Sequence, residues 1–487
     1  MPARFRLLDS PLLAERPRPR AVAAWPHAHW LAVGTVCVGA FLGQLTASVT
    51  ALVFPALEER FHAGLAAVEW VALAYLVVLV ALLAPVGRLS DLVGRKTVYL
   101  GGFAVFGLAS LGAGLSGSLG QLIACRAVQA VGGAMMQANS VALVARGVPE
   151  RAMRTALGIQ AAAQALGLAL GPTLGGLLVA HASWRWAFWI NVPIGLLGIL
   201  AGWFLLPRTH PAGRPDRPGG RDADRGRFDL AGMVLLAGAS AALLLALSAA
   251  SGLPLPGWAV LALLAASAVL SAGLVRQERR ADRPIIAPGL VNTPGIRAGL
   301  VLALVGYLLL FCPLVLGPVM LSGAGVPVAA AGLVITALPG AFALAATLGG
   351  SLLPAGWTDA ARCRVGAFAA SAGLLASALL PIGPAAAVPA LLVVGLGLGL
   401  LLPANNALVM RAVPAESSAV GGGMLNTVRS LGTALGTALP VLAVHLAGRS
   451  SGGRALLVLL AVVALGAGLL ATRAGRPERP AVDPGRC

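Results

Sequence analysis

The sequence predicts an all-α polytopic membrane protein of about fourteen spans, and three observations carry that expectation. Hydrophobic residues fill 58% of the 487 positions and charged residues only 11%, with a mean hydropathy of +0.88. A soluble domain keeps roughly a quarter of its residues charged, so this chain could not clothe a water-facing surface. Apolar runs of about 17–25 residues, the length at which a helix crosses the hydrocarbon, recur from near Trp30 to near Thr472. The segments between the runs alternate between Arg-rich and Arg-poor.

Each element follows from that pattern. Residues 1–29 are rich in Arg and Pro and precede a full-length apolar run, which reads as a cytoplasmic tail and a retained first helix rather than a cleaved signal. Six spans over 30–206 follow, read as about 30–54, 66–86, 98–118, 121–145, 157–180 and 186–206. The segment 207–228, dense in Pro, Gly and Arg, is a cytoplasmic linker. Two further spans, about 229–250 and 257–275, lead through a loop at 276–296 into a final set over 297–472. That set reads as about 297–321, 328–354, 365–382, 387–411, 417–446 and 454–472, and residues 473–487 form a cytoplasmic tail. Arg-rich loops stay in the cytoplasm, so both termini are placed there, and an even number of spans agrees.

The formal charge of +18 does not indicate a nucleic-acid partner, because the Arg residues sit in short segments between spans, as topology determinants do. The five cysteines are scattered without ligand spacing, so neither a disulfide framework nor a metal site is expected. No Ser/His/Asp set, paired carboxylates or phosphate-cradling loop is evident, so no enzyme, ATPase or cofactor is expected.

An internal repeat gives the chain its organisation. Arg146-Gly-Val-Pro149 matches Arg411-Ala-Val-Pro414, and Leu166-Gly-Leu-Ala-Leu-Gly171 matches Leu431-Gly-Thr-Ala-Leu-Gly436. Both pairs share an offset of 265 residues (411 − 146 and 431 − 166), and Gly158 with Gly423 falls on it too. The offset pairs span four with span twelve and span five with span thirteen. Two six-helix halves with two helices inserted between them produce that shift. Parallel six-span repeats describe a secondary transporter with substrate bound between its halves.

Four motifs carry the working residues. In GRLSDLVGRK, Gly87 to Lys96, Gly87 and Gly94 allow close packing and a tight turn, while Asp91, Arg95 and Lys96 supply charge at a span junction. This resembles the loop signature of the major facilitator superfamily, with Val93 in place of its mid-motif basic residue. The resemblance implies that Asp91 and Arg95 belong to a charge network that locks one conformation. In CRAVQAVGGAMMQ, Arg126 lies inside span four, where an Arg is costly and faces a cavity or a partner. With Gln129 and Ala130 it resembles the family's span-four motif, whose Arg is tied to proton coupling. In QALGLALGPTLGG, Gly167, Gly171 and Gly175 share one helix face, Gly176 follows, and Pro172 bends the span. Gly-Pro-x-x-Gly-Gly resembles the fifth-span motif of antiporters among the facilitators, which implies export. WRWAFWINVPIG, Trp184 to Gly195, suits an interfacial aromatic belt and also resembles the fourteen-span drug:H+ antiporter branch. FDLAG, Phe228 to Gly232, ERRADRPII, Glu278 to Ile286, and LNTVRSLGTALG, Leu425 to Gly436, match the same branch.

The first span departs from that branch. Aligned on Pro55, the branch pattern puts its Asp at Thr46, its Thr at Ser48 and its Asn at Ala51. No other span has an acidic residue at its middle. The substrate is therefore expected to be neutral or anionic, since a cavity without carboxylates gives a cation little in exchange for its hydration. Introducing Thr46→Asp should then favour cationic dyes. Proton coupling falls to Arg126, Glu69, Arg429 or His445 as candidates. The expected cavity residues are Gln44, Thr46, Ser48, Trp70, Tyr75, Gln164, Asn405 and Asn426. The expected activity is export of a small amphipathic molecule across a bacterial cytoplasmic membrane by a monomer embedded in lipid, with protons as the counter-ion. Two alternatives stand beside it: a proton-coupled uptake symporter and a non-transporting membrane sensor or assembly protein of the same fold.

Overall fold

The structure is a computed structural model that describes residues 15, 17–209, 229–281, 288–291, 293–352, 357–414 and 418–474. It contains fourteen long helices among the described residues. The first six are α1 (Ala28–Leu52), α2 (Trp70–Val93), α3 (Arg95–Leu115), α4 (Leu119–Gly147), α5 (Glu150–His181) and α6 (Asn191–Leu205). Then come α7 (Leu230–Ala250) and α8 (Gly257–Glu278). The last six are α9 (Pro294–Gly323), α10 (Val328–Leu352), α11 (Asp359–Leu379), α12 (Pro384–Ala412), α13 (Ser418–Ala447) and α14 (Gly453–Ala474). By length and composition, 11 helices or joined helical stretches could cross a membrane. Most of the 207–228 linker and of the 473–487 tail lies outside the described residues.

In an apolar medium the backbone must bond to itself, so a chain this apolar folds as helices, and its helices then need surfaces that let them approach. Glycine supplies those surfaces twice, at equivalent places in the repeat. In the first half Gly167, Gly171 and Gly175 of α5 lie against Phe41, Ser48 and Leu52 of α1. In the second half Gly432 and Gly436 of α13 lie against Leu304, Tyr307, Leu308 and Phe311 of α9. Gly102 and Gly132 join α3 to α4, and Gly366 and Gly397 join α11 to α12, in the same fashion. The inserted helices α7 and α8 pack on each other, and α7 reaches both α2 and α13.

The two halves meet most tightly through α5 and α10. A Cβ added at Gly332 would stand 2.5 Å from the Pro172 carbonyl oxygen and 3.1 Å from the Gly176 Cα, so the two backbones touch. Three residues below Gly176, the hydroxyls of Thr173 and Thr336 share a hydrogen bond of 2.6 Å. These contacts lie toward the Arg-poor ends of the helices, and they close that end of the molecule.

A side chain in this seam should act as a wedge. Overpacking costs ~1–3 kcal/mol, so Gly332→Leu should shift the equilibrium away from the closed seam. A cysteine placed at Thr336 should then react about tenfold faster with a membrane-impermeant maleimide, which corresponds to a shift of ~1.4 kcal/mol. Unchanged labelling would show that the seam does not gate access.

Candidate functional site

Between the halves lies a cavity of about 780 Å³, counted to its open mouth. Gly43, Gln44 and Ala47 of α1 line it, with Tyr75 and Leu79 of α2, Gln137 and Ser140 of α4, and Gln164 of α5. From the second half come Tyr307 and Phe311 of α9 and Arg429, Ser430 and Thr433 of α13. Gln164 and Arg429 stand at equivalent positions of the repeat (429 − 164 = 265) and both reach this space. The Arg429 guanidinium sits 4.7 Å from the centre of the Tyr307 ring, and its Nη1 donates to Asn426 Oδ1 at 3.3 Å. One fixed positive charge, two phenols, a phenyl ring, three carboxamides and three hydroxyls therefore face the cavity, and no Asp or Glu lines it among the described residues.

Arg126 stands behind this wall rather than in it. It is 1% exposed, its Nε donates to the Val71 carbonyl at 2.7 Å, and its Nη1 donates to Gln129 Oε1 at 2.5 Å. Gln129 Nε2 donates in turn to Ser110 Oγ at 2.6 Å. The guanidinium lies 4.6 Å from the centre of the Tyr75 ring, and Tyr75 also lines the cavity. Carbonyl and carboxamide oxygens with an aromatic face thus partner this buried charge, and an aromatic face alone contributes ~0.5–2 kcal/mol.

Several expected cavity residues turn out to face elsewhere. Thr46 is 2% exposed and its hydroxyl donates to Asn191 Oδ1 of α6 at 2.9 Å. Ser48 is buried where α5 crosses, with its hydroxyl donating to the Gln44 carbonyl at 3.0 Å. Trp70 packs against the core of the first half, and Asn405 Nδ2 donates to the Gly299 carbonyl inside the second half at 2.9 Å. Asn426 reaches the site through Arg429. Gln137, Ser140, Tyr307, Phe311, Ser430 and Thr433 join the lining without having been singled out in the sequence. A signal existed for Tyr307, since the chain has only three tyrosines and one sits in mid-span.

The loop signature forms a junction at the Arg-rich end. Gly94 takes a positive φ of 111°, a conformation open to glycine, between α2 and α3. Lys96 is buried, and its Nζ donates to the Trp203 carbonyl at 3.0 Å and the Leu206 carbonyl at 2.9 Å, the last carbonyls of α6. Gly87 lies within α2 and Arg95 heads α3, while the side chain of Asp91 lies outside the described residues. In the second half Asp359 pairs with Arg411 and lies 3.7 Å from Arg362 Nη1. Glu69 is fully buried and accepts a hydrogen bond from Ser248 of α7, and His445 is exposed, with its ring against Gly252.

Residues 36–437 match the family model described as Major Facilitator Superfamily. The chain belongs to that superfamily. It is 30% identical over 426 residues to the "Tetracenomycin C resistance and export protein" of Streptomyces glaucescens, covering 86% of this chain and 76% of that protein. It is 28% identical to "Riboflavin transporter RibZ" of Clostridioides difficile (strain 630), covering 84% and 87%. A third relative, "Putative multidrug resistance protein MdtD" of Escherichia coli (strain SMS-3-5 / SECEC), is 32% identical over 54% of each chain. Among solved structures, a bacterial homologue of the lysosomal transporter Spinster superimposes with a TM-score of 0.60 at 16% identity, over 93% of this chain and 98% of that one. A POT family transporter gives 0.61 at 13% identity, over 91% and 96%. This facilitator is therefore a multi-pass transporter of the same family as named drug-resistance proteins.

Arg126→Lys separates charge from geometry. A single ammonium cannot serve Val71 and Gln129 and also spread over Tyr75. We expect a loss of ~2 kcal/mol, the size of one hydrogen bond to a charged group, seen as a lower Tm in detergent. An unchanged Tm would show that the guanidinium fork and stack add nothing.

Proposed function

We propose that this protein exports small, amphipathic, neutral or anionic compounds from the cytoplasm by proton antiport and alternating access. The carrying observation is the cavity lining, with Arg429 on Tyr307, aromatic faces, carboxamides and hydroxyls, and no carboxylate. A flat aromatic solute with carbonyl or phenolate oxygens finds ring faces to stack on, amide and hydroxyl donors, and one guanidinium for its negative end. A dication finds ring faces and amide oxygens but no carboxylate to offset the loss of its hydration, and it meets the charge of Arg429.

The direction of transport rests on sequence and relatives together. The Gly-Pro-x-x-Gly-Gly run at 171–176 is the antiporter-like motif, and two of the relatives carry resistance in their names. Placing the Arg-rich end in the cytoplasm makes the closed α5–α10 seam the outer gate. In that orientation the loop signature at Gly87, Asp91, Gly94, Arg95 and Lys96 is a cytoplasmic lock, with Lys96 holding the end of α6. Arg126 acts through Tyr75, by setting the ring that the substrate meets. The working unit is the monomer, because both halves of the cavity come from one chain.

Proteoliposomes with an imposed pH gradient test the assignment, using fluorescein as anion, riboflavin as neutral solute and propidium as dication. The gradient should drive fluorescein and riboflavin but not propidium, and Arg429→Gln should slow fluorescein at least about tenfold, for a lost interaction of ~1.5–3 kcal/mol. Since Thr46 faces α6, the charge that admits cations belongs on the lining, and Gln44→Glu should raise propidium transport. Faster movement of propidium than fluorescein by the parent protein would overturn the substrate class. Indifference to the gradient would overturn antiport.

A further inference from the structure

We propose that Glu69 is the proton-carrying group of this transporter and that Ser248, on the inserted helix pair, is the residue that positions it. The proposal rests on the antiport reading and gives the insert a part in coupling. Glu69 stands at the residue before α2 and is fully buried, with Oε1 accepting from the Ser248 hydroxyl and Oε2 without a hydrogen-bond partner. The neighbouring Trp70 Nε1 is an unpartnered buried donor as well. No cation lies within ion-pair distance of Glu69 among the described residues.

The surrounding elements explain why the group stands alone. On α4, Arg126 is committed to Val71 and Gln129, and Tyr75 of α2 lies under its guanidinium. On α13, His445 is exposed against Gly252, just past the end of α7, and α7 itself carries no charged residue. The short helix Leu65–Val68 that leads into Glu69 touches both α7 and α13. The carboxyl therefore sits where the first half, the insert and the second half converge, on the closed side of the molecule.

That placement ties its protonation to the gate. Opening the Arg-poor end parts α13 from α2 and lets water reach Oε2, where the carboxylate takes one proton from that side. The neutral acid can be sealed in again, whereas an unpaired carboxylate charge is far costlier to bury. With the Arg-poor end closed, cavity water extends along α2 past Tyr75, about 9 Å from Glu69, and takes the proton from Oε2, which restores the carboxylate and permits reopening. One proton enters and one leaves per cycle.

Spin labels at Ala63 and Leu446 on the full chain in nanodiscs read the gate by distance. The parent should move from the short to the long distance as pH rises, and Glu69→Gln should stay short at every pH. Ser248→Ala should keep the response with its midpoint moved by about one pH unit, the scale of a hydrogen bond to a charged group. Glu69→Asp, checked like the others for monodispersity, should retain the response. A parent-like response in Glu69→Gln overturns the proton site, and an unmoved midpoint in Ser248→Ala overturns the role of the insert. Gradient-driven fluorescein transport on the same preparations separates the two levels. If parent and Glu69→Gln respond alike, the Glu69 assignment fails and antiport stands. If the parent ignores the gradient, both fail.

Discussion

A charge carried into an apolar interior has to find its partners there, and the ionisable groups buried in this chain are arranged around that requirement. Arg126 meets it with a carbonyl, a carboxamide and two aromatic faces, and Lys96 meets it with carbonyls at the C-terminal end of α6. Each solution fixes more than a side chain. The Arg126 set ties α4 to α2 and orients Tyr75, and the Lys96 set ties α3 to α6, so two of the helix junctions in the first half are held by cations bonded to backbone oxygen. A carboxylate pairs directly with a cation at an end of the molecule, where Asp359 meets Arg411. Dipoles and ring faces thus partner Arg126 in the interior, and the same kind of partner reaches the cavity where Arg429 lies on Tyr307.

The repeat puts this chemistry to asymmetric use. The glycine seams of α1 with α5 and of α9 with α13 are near copies, as are those of α3 with α4 and α11 with α12. On that shared frame Gln164 in one half is matched by Arg429 in the other, and the two phenols of the lining come from helices that are not repeat partners, α2 and α9. Scaffold positions were duplicated while cavity positions diverged. This is how one architecture presents a neutral hydrogen-bonding wall on one side and a cationic one on the other.

Much of the scaffold was legible in the sequence, because span length, Arg spacing and glycine periodicity are local or translational signals. Gln44, Gln164, Tyr75 and Arg126 were legible too, since a long polar or cationic side chain in an apolar run is costly unless it serves something. Thr46 and Ser48 misled for a specific reason. A hydroxyl can satisfy itself on a nearby carbonyl or amide, so its presence does not say which face it occupies. Residues two apart on a helix point about 200° apart, so once Gln44 and Ala47 face the cavity, Thr46 must turn away, and it meets Asn191. The Arg126–Tyr75 stack and the Glu69–Ser248 bond join residues far apart in the chain, and no periodicity announces them.

The contact between Gly332 and the Pro172–Gly176 turn has a consequence for the membrane itself. Here the backbones touch without intervening side chains, and the Thr173 and Thr336 hydroxyls share a hydrogen bond while Thr336 also donates to the Gly332 carbonyl. A membrane transporter must not leak ions between its cycles. At this seam main chain lies directly against main chain, over the stretch of α5 and α10 where glycine keeps the two halves in contact.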